Sequence, residues 1–185
     1  KLWREREKEL VNKLHIQATT DQLTGIYNRR VIFEALDKAM ENSKKSNDRE
    51  FATIMFDIDF FKQVNDNYGH AGGDAVLISF AKLLQTEITS PNIVGRVGGE
   101  EFLAILYLSP DEAKEFCVKL IHKINNNFVH FEGTEIKISS SGGVAFSTET
   151  ETSADLTNKA DERLYEAKKN GRNRFTLHDS ELIGE

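Results

Sequence analysis

Two apolar segments separated by a pair of glycines constrain this chain more than any other feature. Ile93-Val94-Gly95-Arg96-Val97 is followed by Gly98-Gly99 and then by Phe102-Leu103-Ala104-Ile105-Leu106-Tyr107-Leu108. Strand-like runs this close together pair as an antiparallel hairpin, because a parallel pair needs a crossover of about a dozen residues. Elsewhere strand and helix signals alternate. Phe51-Ala52-Thr53-Ile54-Met55-Phe56 reads as a short buried strand, Glu135 to Phe146 as a strand region and Arg174 to His178 as a last short strand. Apolar periodicity predicts helices from about Asn28 to Met40, Asp74 to Thr89, Ser109 to Asn127 and Ser153 to Lys169. Ser109 can cap and Pro110 suits a first turn, Ser153 or Asp155 opens the last helix, and Gly171 stops it. Alternation interrupted by a hairpin argues against a purely parallel, doubly wound sheet. It points to an α/β fold with a mixed, largely antiparallel central sheet flanked by helices, of the split βαβ (ferredoxin-like) kind.

A chain of 185 residues with no internal repeat suits one domain and buries roughly 70% of its unfolded surface. The first nineteen residues lack Gly and Pro, and Trp3, Leu10 and Leu14 stand near heptad spacing, with Leu2 and Val11 widening the stripe. They read either as a helix packed on its own domain or as the end of a coiled-coil connector. The expected division is 1–19 for this helix, 20–178 for the domain and 179–185 for a C-terminal tail. The polar stretch Glu41 to Glu50 reads as a loop. No apolar run reaches the ~18 residues that cross a bilayer, and the charged start without an initiator Met looks like an excised piece of something longer. Thirty acidic against 24 basic residues, net charge −6, argue against a nucleic-acid polymer as partner. The lone Cys117 excludes an internal disulfide and a multi-cysteine metal cluster.

The chain has neither a P-loop, nor a G-x-G-x-x-G fingerprint, nor H-E-x-x-H, and its five histidines are scattered. Two acidic clusters stand out instead: Asp57 with Asp59 where the buried strand ends, and Glu100 with Glu101 after the Gly98-Gly99 turn. Carboxylates at strand ends are hard oxygen donors suited to Mg²⁺, and two such ions can clamp an in-line phosphoryl displacement. The glycines allow positive φ and a close approach by phosphate. Lys62 lies one turn beyond Asp57, and Lys168 and Arg172 are four apart at the end of the last helix. Each feature alone also has a plain reading: a solvated hairpin tip, or cations complementing a helix C-terminus.

Taken in order, the segments resemble the GGDEF family, the bacterial diguanylate cyclases. The signature is Gly98-Gly99-Glu100-Glu101-Phe102, preceded by Asp21-Gln22-Leu23-Thr24-Gly25-Ile26-Tyr27-Asn28-Arg29-Arg30. Phe56-Asp57-Ile58-Asp59-Phe60-Phe61-Lys62-Gln63-Val64-Asn65-Asp66, Tyr68-Gly69-His70 and Gly73-Asp74 follow the family pattern, as does the run from Ala160-Asp161 to Arg172-Asn173. These matches cover roughly residues 18 to 175.

The resemblance implies a fold like the catalytic palm of nucleotidyl cyclases and polymerases, and the condensation of two GTP into cyclic di-GMP and two pyrophosphates across a homodimer. It implies Asp57, Glu100 and the Ile58 carbonyl as ligands of Mg²⁺, or of Mn²⁺ in its place. Glu100 or Glu101 would help deprotonate the attacking hydroxyl. Lys62 would stabilise charge in the transition state, with Lys168 and Arg172 on the terminal phosphates. Asn65 and Asp74 would read guanine, and His70 and Leu77 would line the base pocket. An upstream sensory module is implied, with the domain cytoplasmic and its parent in some cases anchored in the inner membrane. The alternative is a catalytically silent GTP-binding or signalling module. One departure concerns the inhibitory Arg-x-x-Asp that many members carry five residues ahead of the signature. Here that stretch is Thr89-Ser90-Pro91-Asn92, so weak or absent product inhibition is expected.

Overall fold

The computed structural model describes residues 2–45, 50–178 and 181–184. The chain runs α1 (Leu2–Thr19), α2 (Arg29–Lys45), β1 (Ala52–Ile58), α3 (Phe61–Glu87), β2 (Ile93–Gly98), β3 (Glu101–Leu106) and α4 (Pro110–Asn125). It continues through β4 (Phe128–Phe131), β5 (Thr134–Lys137), β6 (Ser140–Phe146), α5 (Ser153–Lys169), β7 (Arg174–Thr176) and β8 (Leu182–Gly184). Six strands form one sheet in the order β2-β3-β1-β6-β7-β8, and β4 pairs with β5 separately. Only β6 and β7 run parallel; the other neighbours are antiparallel. The expected mixed, largely antiparallel sheet is therefore present, with β2 and β3 as its hairpin.

Period-two alternation gives each face of β1 its own core. Ile54, Phe56 and Ile58 pack with Phe80, Leu84, Leu120 and Phe175 against α3 and α4. Phe56, Phe80, Phe102 and Phe175 meet there edge to face, with centroids 5.1–6.4 Å apart. Met55 packs on the other face with Ile32, Leu36, Leu103, Ala160 and Leu164, under α2 and α5. On this second face α5 lies directly on β6: a Cβ at Gly143 would sit 1.9 Å from the Ala160 carbonyl oxygen and 2.4 Å from the Leu164 nitrogen. A side chain there would lift the helix, and with it Lys168, off the sheet.

Several boundaries differ from expectation, each for a local reason. The third helix begins at Phe61 rather than Asp74, because Gly69 (φ 70°, ψ 176°) joins a short, polar first segment to the apolar second one. Asp74 is therefore inside a helix rather than at its start. Thr152, not Ser153 or Asp155, caps α5, its hydroxyl accepting from the Asp155 N–H. Ser109 caps α4 with Pro110 in its first turn, as expected, and Glu112 completes a capping box with it. The Glu135–Phe146 region is two strands in two sheets, and β4 and β5 turn through Glu132 and Gly133, both left-handed. α2 continues to Lys45 into the expected loop, of which 46–49 lie outside the described residues. Residues 182–184, in the expected tail, form β8 and pair with β7, while 179, 180 and 185 lie outside the described residues.

α1 does not pack on the domain: every side chain from Trp3 to Ala18 is exposed. Its C-terminal end is tied down instead. Asn28 and Arg30 both donate to the Ala18 carbonyl, and the Asn28 side chain also caps α2 by accepting from the Val31 N–H.

Candidate active site

β1 is buried along its whole length and lies between β3 and β6, so it carries its last residues to the end of the sheet with little freedom. Asp57 is opposite Glu101 on β3 and Ser141 on β6. The Ile58 N–H donates to the Glu100 carbonyl at 3.3 Å, and the ladder turns the Ile58 carbonyl toward the same strand. The two acidic clusters that are 43 positions apart in sequence (57 to 100) thus meet at one sheet end.

Asp57 faces α5, where Lys168 Nζ lies 3.0 Å from its Oδ2. Burial pushes the Asp57 carboxyl above the ordinary aspartate value; Lys168 opposes this, and the Glu100 and Glu101 charges add to it. Charges gathered this way favour a cation at this point. The donors, two carboxylates and a backbone carbonyl, are hard oxygens of the kind Mg²⁺ takes together with substrate phosphates and water. Among the described residues no group of three or more His, Cys, Asp or Glu is arranged to hold an ion unaided.

The turn after β2 is held by its own strand. Arg96 donates through Nε and Nη2 to the Gly99 carbonyl, at 2.9 and 2.8 Å, and through Nη1 to Asp21 at 3.0 Å. Asp21 also accepts from the N–H and hydroxyl of Thr24. Although burial works the other way, these donors keep the Asp21 carboxyl below its ordinary value. The Arg96 N–H donates to the Tyr27 carbonyl, so the corner after α1 and the Gly98-Gly99 turn form one bonded unit. Sequence reading found both motifs but not Arg96, whose single charge within a strand gave no signal of its own.

The two arms of α3 hold the remaining candidates. Lys62 and His70 are exposed, and their side chains make no hydrogen bond or ion pair among the described residues. A Cβ at Gly73 would sit 2.0 Å from Asn65 Oδ1, so the missing side chain lets Asn65 lie across the kink beside exposed Asp74. Leu77 is buried in the core beneath them. Arg172 lies beyond α5 with its guanidinium 4.7 Å from the centroid of the Phe60 ring. Helix-dipole complementation does not describe Lys168, whose ammonium is on Asp57.

Asp59, grouped with Asp57 by sequence, is differently placed. It is 5% exposed and accepts from Ser139 Oγ (2.8 Å), Ser141 Oγ (2.6 Å) and the Asn173 N–H (2.9 Å). Both its oxygens accept from protein donors.

A family model described as "Diguanylate cyclase, GGDEF domain" matches residues 18–174. Diguanylate cyclase A of Treponema denticola is 33% identical over 168 residues, 89% of this chain and 45% of that protein. A diguanylate cyclase of Vibrio cholerae is 35% identical over 173 residues, 92% of this chain and 53% of that protein. The chain thus spans about half or less of these relatives. Among solved structures, the coiled coil and GGDEF domain of DgcB from Caulobacter crescentus, in complex with c-di-GMP, superposes with a TM-score of 0.87 at 27% identity. That match covers 95% of this chain and 94% of the other. Diguanylate cyclase SiaD of Pseudomonas aeruginosa, in complex with its activator SiaC, gives 0.84 at 31% identity, covering 95% of this chain and 67% of that one.

Proposed function

The chain belongs to the GGDEF family, and from that premise we propose that it is a diguanylate cyclase domain, condensing two GTP molecules into cyclic di-GMP and two pyrophosphates. One observation carries the reading: Asp57, the Ile58 carbonyl and Glu100 converge at one sheet end beside Lys168, where burial and like charges call for a cation. In each half-reaction a 3′-hydroxyl attacks the α-phosphate of the other GTP, a new P–O bond forms, and pyrophosphate leaves with the electrons of the broken bond.

Asp57, Glu100 and the Ile58 carbonyl are the residues that would hold Mg²⁺, or Mn²⁺. When bound, such an ion supplies charge neutralisation at the phosphate oxygens and a lower pKa for the attacking hydroxyl. Glu100 or Glu101 would take the hydroxyl proton. Lys62 would stabilise the charge that develops on the α-phosphate, and Lys168 and Arg172 would hold the terminal phosphates. Asn65 and Asp74 fit guanine, because a carboxylate accepts from its ring N–H and amino group together, a pair that adenine does not offer. His70 would flank the base over Leu77.

Each domain presents one such half-site, so two copies must face each other. The exposed apolar residues of α1 (Trp3, Leu10, Val11 and Leu14) support a helical connector through which an upstream sensory module sets that geometry by raising effective concentration. No helix among the described residues is long and apolar enough to cross a membrane.

The test is a turnover assay with product identification. The chain alone and the chain fused to a dimerising coiled coil are incubated with GTP and Mg²⁺. Cyclic di-GMP and pyrophosphate in a 1:2 ratio, formed faster by the fusion, is the expected result. GTP binding with no product from the fusion would overturn it in favour of a silent binding module.

A further inference from the structure

Four consecutive residues leave the buried strand as Asp57-Ile58-Asp59-Phe60, and the first two are the cation donors described above. The next two touch a different part of the chain, the turn that follows α5. There Gly171, Arg172 and Asn173 have φ of 112°, 63° and 49°, so two non-glycine residues in succession are left-handed, a conformation such residues rarely hold unaided. Asp59 fixes this turn by accepting from the Asn173 N–H at 2.9 Å. It is itself fixed by Ser139 and Ser141 at 2.8 and 2.6 Å. Phe60, also left-handed (φ 55°), places its ring 4.7 Å from the Arg172 guanidinium. One residue therefore holds the backbone of the turn and its neighbour holds the charged group.

We propose that Asp59 and Phe60 are positioning residues that set Arg172 for the terminal phosphates of the nucleotide. This rests on reading the site as a GTP site. Because the clamp follows the cation donors without a gap, a single stretch of β1 exit fixes both the cation and the terminal-phosphate positions. Asp59 itself touches no substrate. A purely structural Asp59 would only hold β6 and β7 together, and its loss would lower stability without distinguishing parts of the ligand.

The experiment measures calorimetric binding, in Mg²⁺, of 3′-deoxyGTP, which lacks the attacking hydroxyl, and of guanosine, which lacks phosphates. Asp59→Ala is expected to weaken 3′-deoxyGTP about tenfold. Phe60→Leu, at a half-exposed site that leaves every buried donor paired, is expected to weaken it about threefold. Guanosine affinity stays within about twofold in both, and in an Arg172→Ala background each change costs less than about twofold more. Asp59→Asn restores binding, since its amide oxygen can take the Asn173 N–H while its NH₂ donates to a rotated Ser141 hydroxyl. Losses that multiply with Arg172→Ala, or that fall equally on guanosine, would overturn the clamp while leaving the GTP reading intact. Should the Asp59 variant not fold, the Phe60 cycle decides by the same criteria. A wild-type chain that binds neither ligand removes the GTP reading, and the clamp with it.

Discussion

Asp57 and Asp59 are two residues apart at the same strand end, and both are buried, yet their surroundings differ in kind. Asp59 is surrounded by donors: two hydroxyls and a backbone N–H. Asp57 has one ammonium partner and two further carboxylates nearby that raise its pKa on top of burial. A buried carboxylate with protein donors on both oxygens holds a structure together. One left short of positive charge suits the proposed cation site, and it is kept at some cost in stability. The same distinction separates the Asp21–Arg96 pair, closed within the protein, from Glu100 at the tip beside it.

The largest effects should fall on the unsatisfied side. Glu100→Ala and Asp57→Asn are each expected to lower cyclic di-GMP formation by at least about 10²–10³-fold while the fold survives. Asp57→Asn should also melt higher than wild type without metal. The sign follows from the raised carboxyl value. The folded state holds the Asp57 proton more tightly than the unfolded chain, so ionised Asp57 costs stability at neutral pH. The advantage of the variant should shrink as pH falls through that raised value. Thermal melts at several pH values check it, and a metal-free Asp57→Asn that melts below wild type would break the comparison.

Asp59→Ala should do the opposite to stability. It leaves the buried Ser141 hydroxyl, the half-buried Ser139 hydroxyl and the Asn173 N–H without their acceptor, a loss of about 2–3 kcal/mol, and the melting point should fall by roughly 4–12 °C. Added Mg²⁺ should not recover it. Urea titration with an unchanged slope would place the loss in the folded state.

This distinction was only half legible in the sequence. The hairpin, the sheet type and the ends of β1 could be read because apolar runs and turn residues are local signals, and the ordered motifs named Asp57, Ile58, Glu100, Glu101 and Lys168, which the fold brings to one sheet end. Asp57 and Asp59 looked alike because their donors come from elsewhere. Lys168 is 111 positions from Asp57, and Asn173 is 114 from Asp59. The arm of α3 before Gly69 was missed because it buries only Val64 and shows no apolar period. Phe60 beneath Arg172 was not visible either, since a ring on an exposed turn carries no periodic signal.

Asp21–Arg96 offers a finer test, because it is satisfied yet adjoins the Gly98-Gly99 turn of the proposed site. Asp21→Asn should cost about 1–2 kcal/mol at neutral pH, less than Asp59→Ala because both side chains keep some contact with water. The folded carboxyl lies below its ordinary value, so the stability it contributes is complete above the unfolded value and lost as pH falls through the folded one. Wild type and Asp21→Asn should therefore converge in stability under acid. If the gap instead widened as pH fell, the carboxylate would not be the group that Arg96 and Thr24 stabilise.

Asn92 gives the smallest effect and the sharpest distinction between stability and ligand binding. It stands where many family members carry the Asp of a product-binding Arg-x-x-Asp. Its side-chain oxygen instead accepts from the Tyr107 N–H at 2.8 Å, and its own N–H donates to the Thr89 carbonyl at 2.9 Å. Asn92 is therefore a satisfied group like Asp59, on a smaller scale: one neutral hydrogen bond near the outer end of the hairpin. Asn92→Ala should lower stability by about 1 kcal/mol. It should leave the concentration of cyclic di-GMP needed to slow turnover unchanged, since no pair of charges is present to grip two phosphates. Rate measurements over a range of added product decide the matter. Tight inhibition in the wild type that vanished in Asn92→Ala or Thr89→Ala would mean that a group committed to the fold can also serve a ligand, and the division drawn from Asp57 and Asp59 would fail at this end of the sheet.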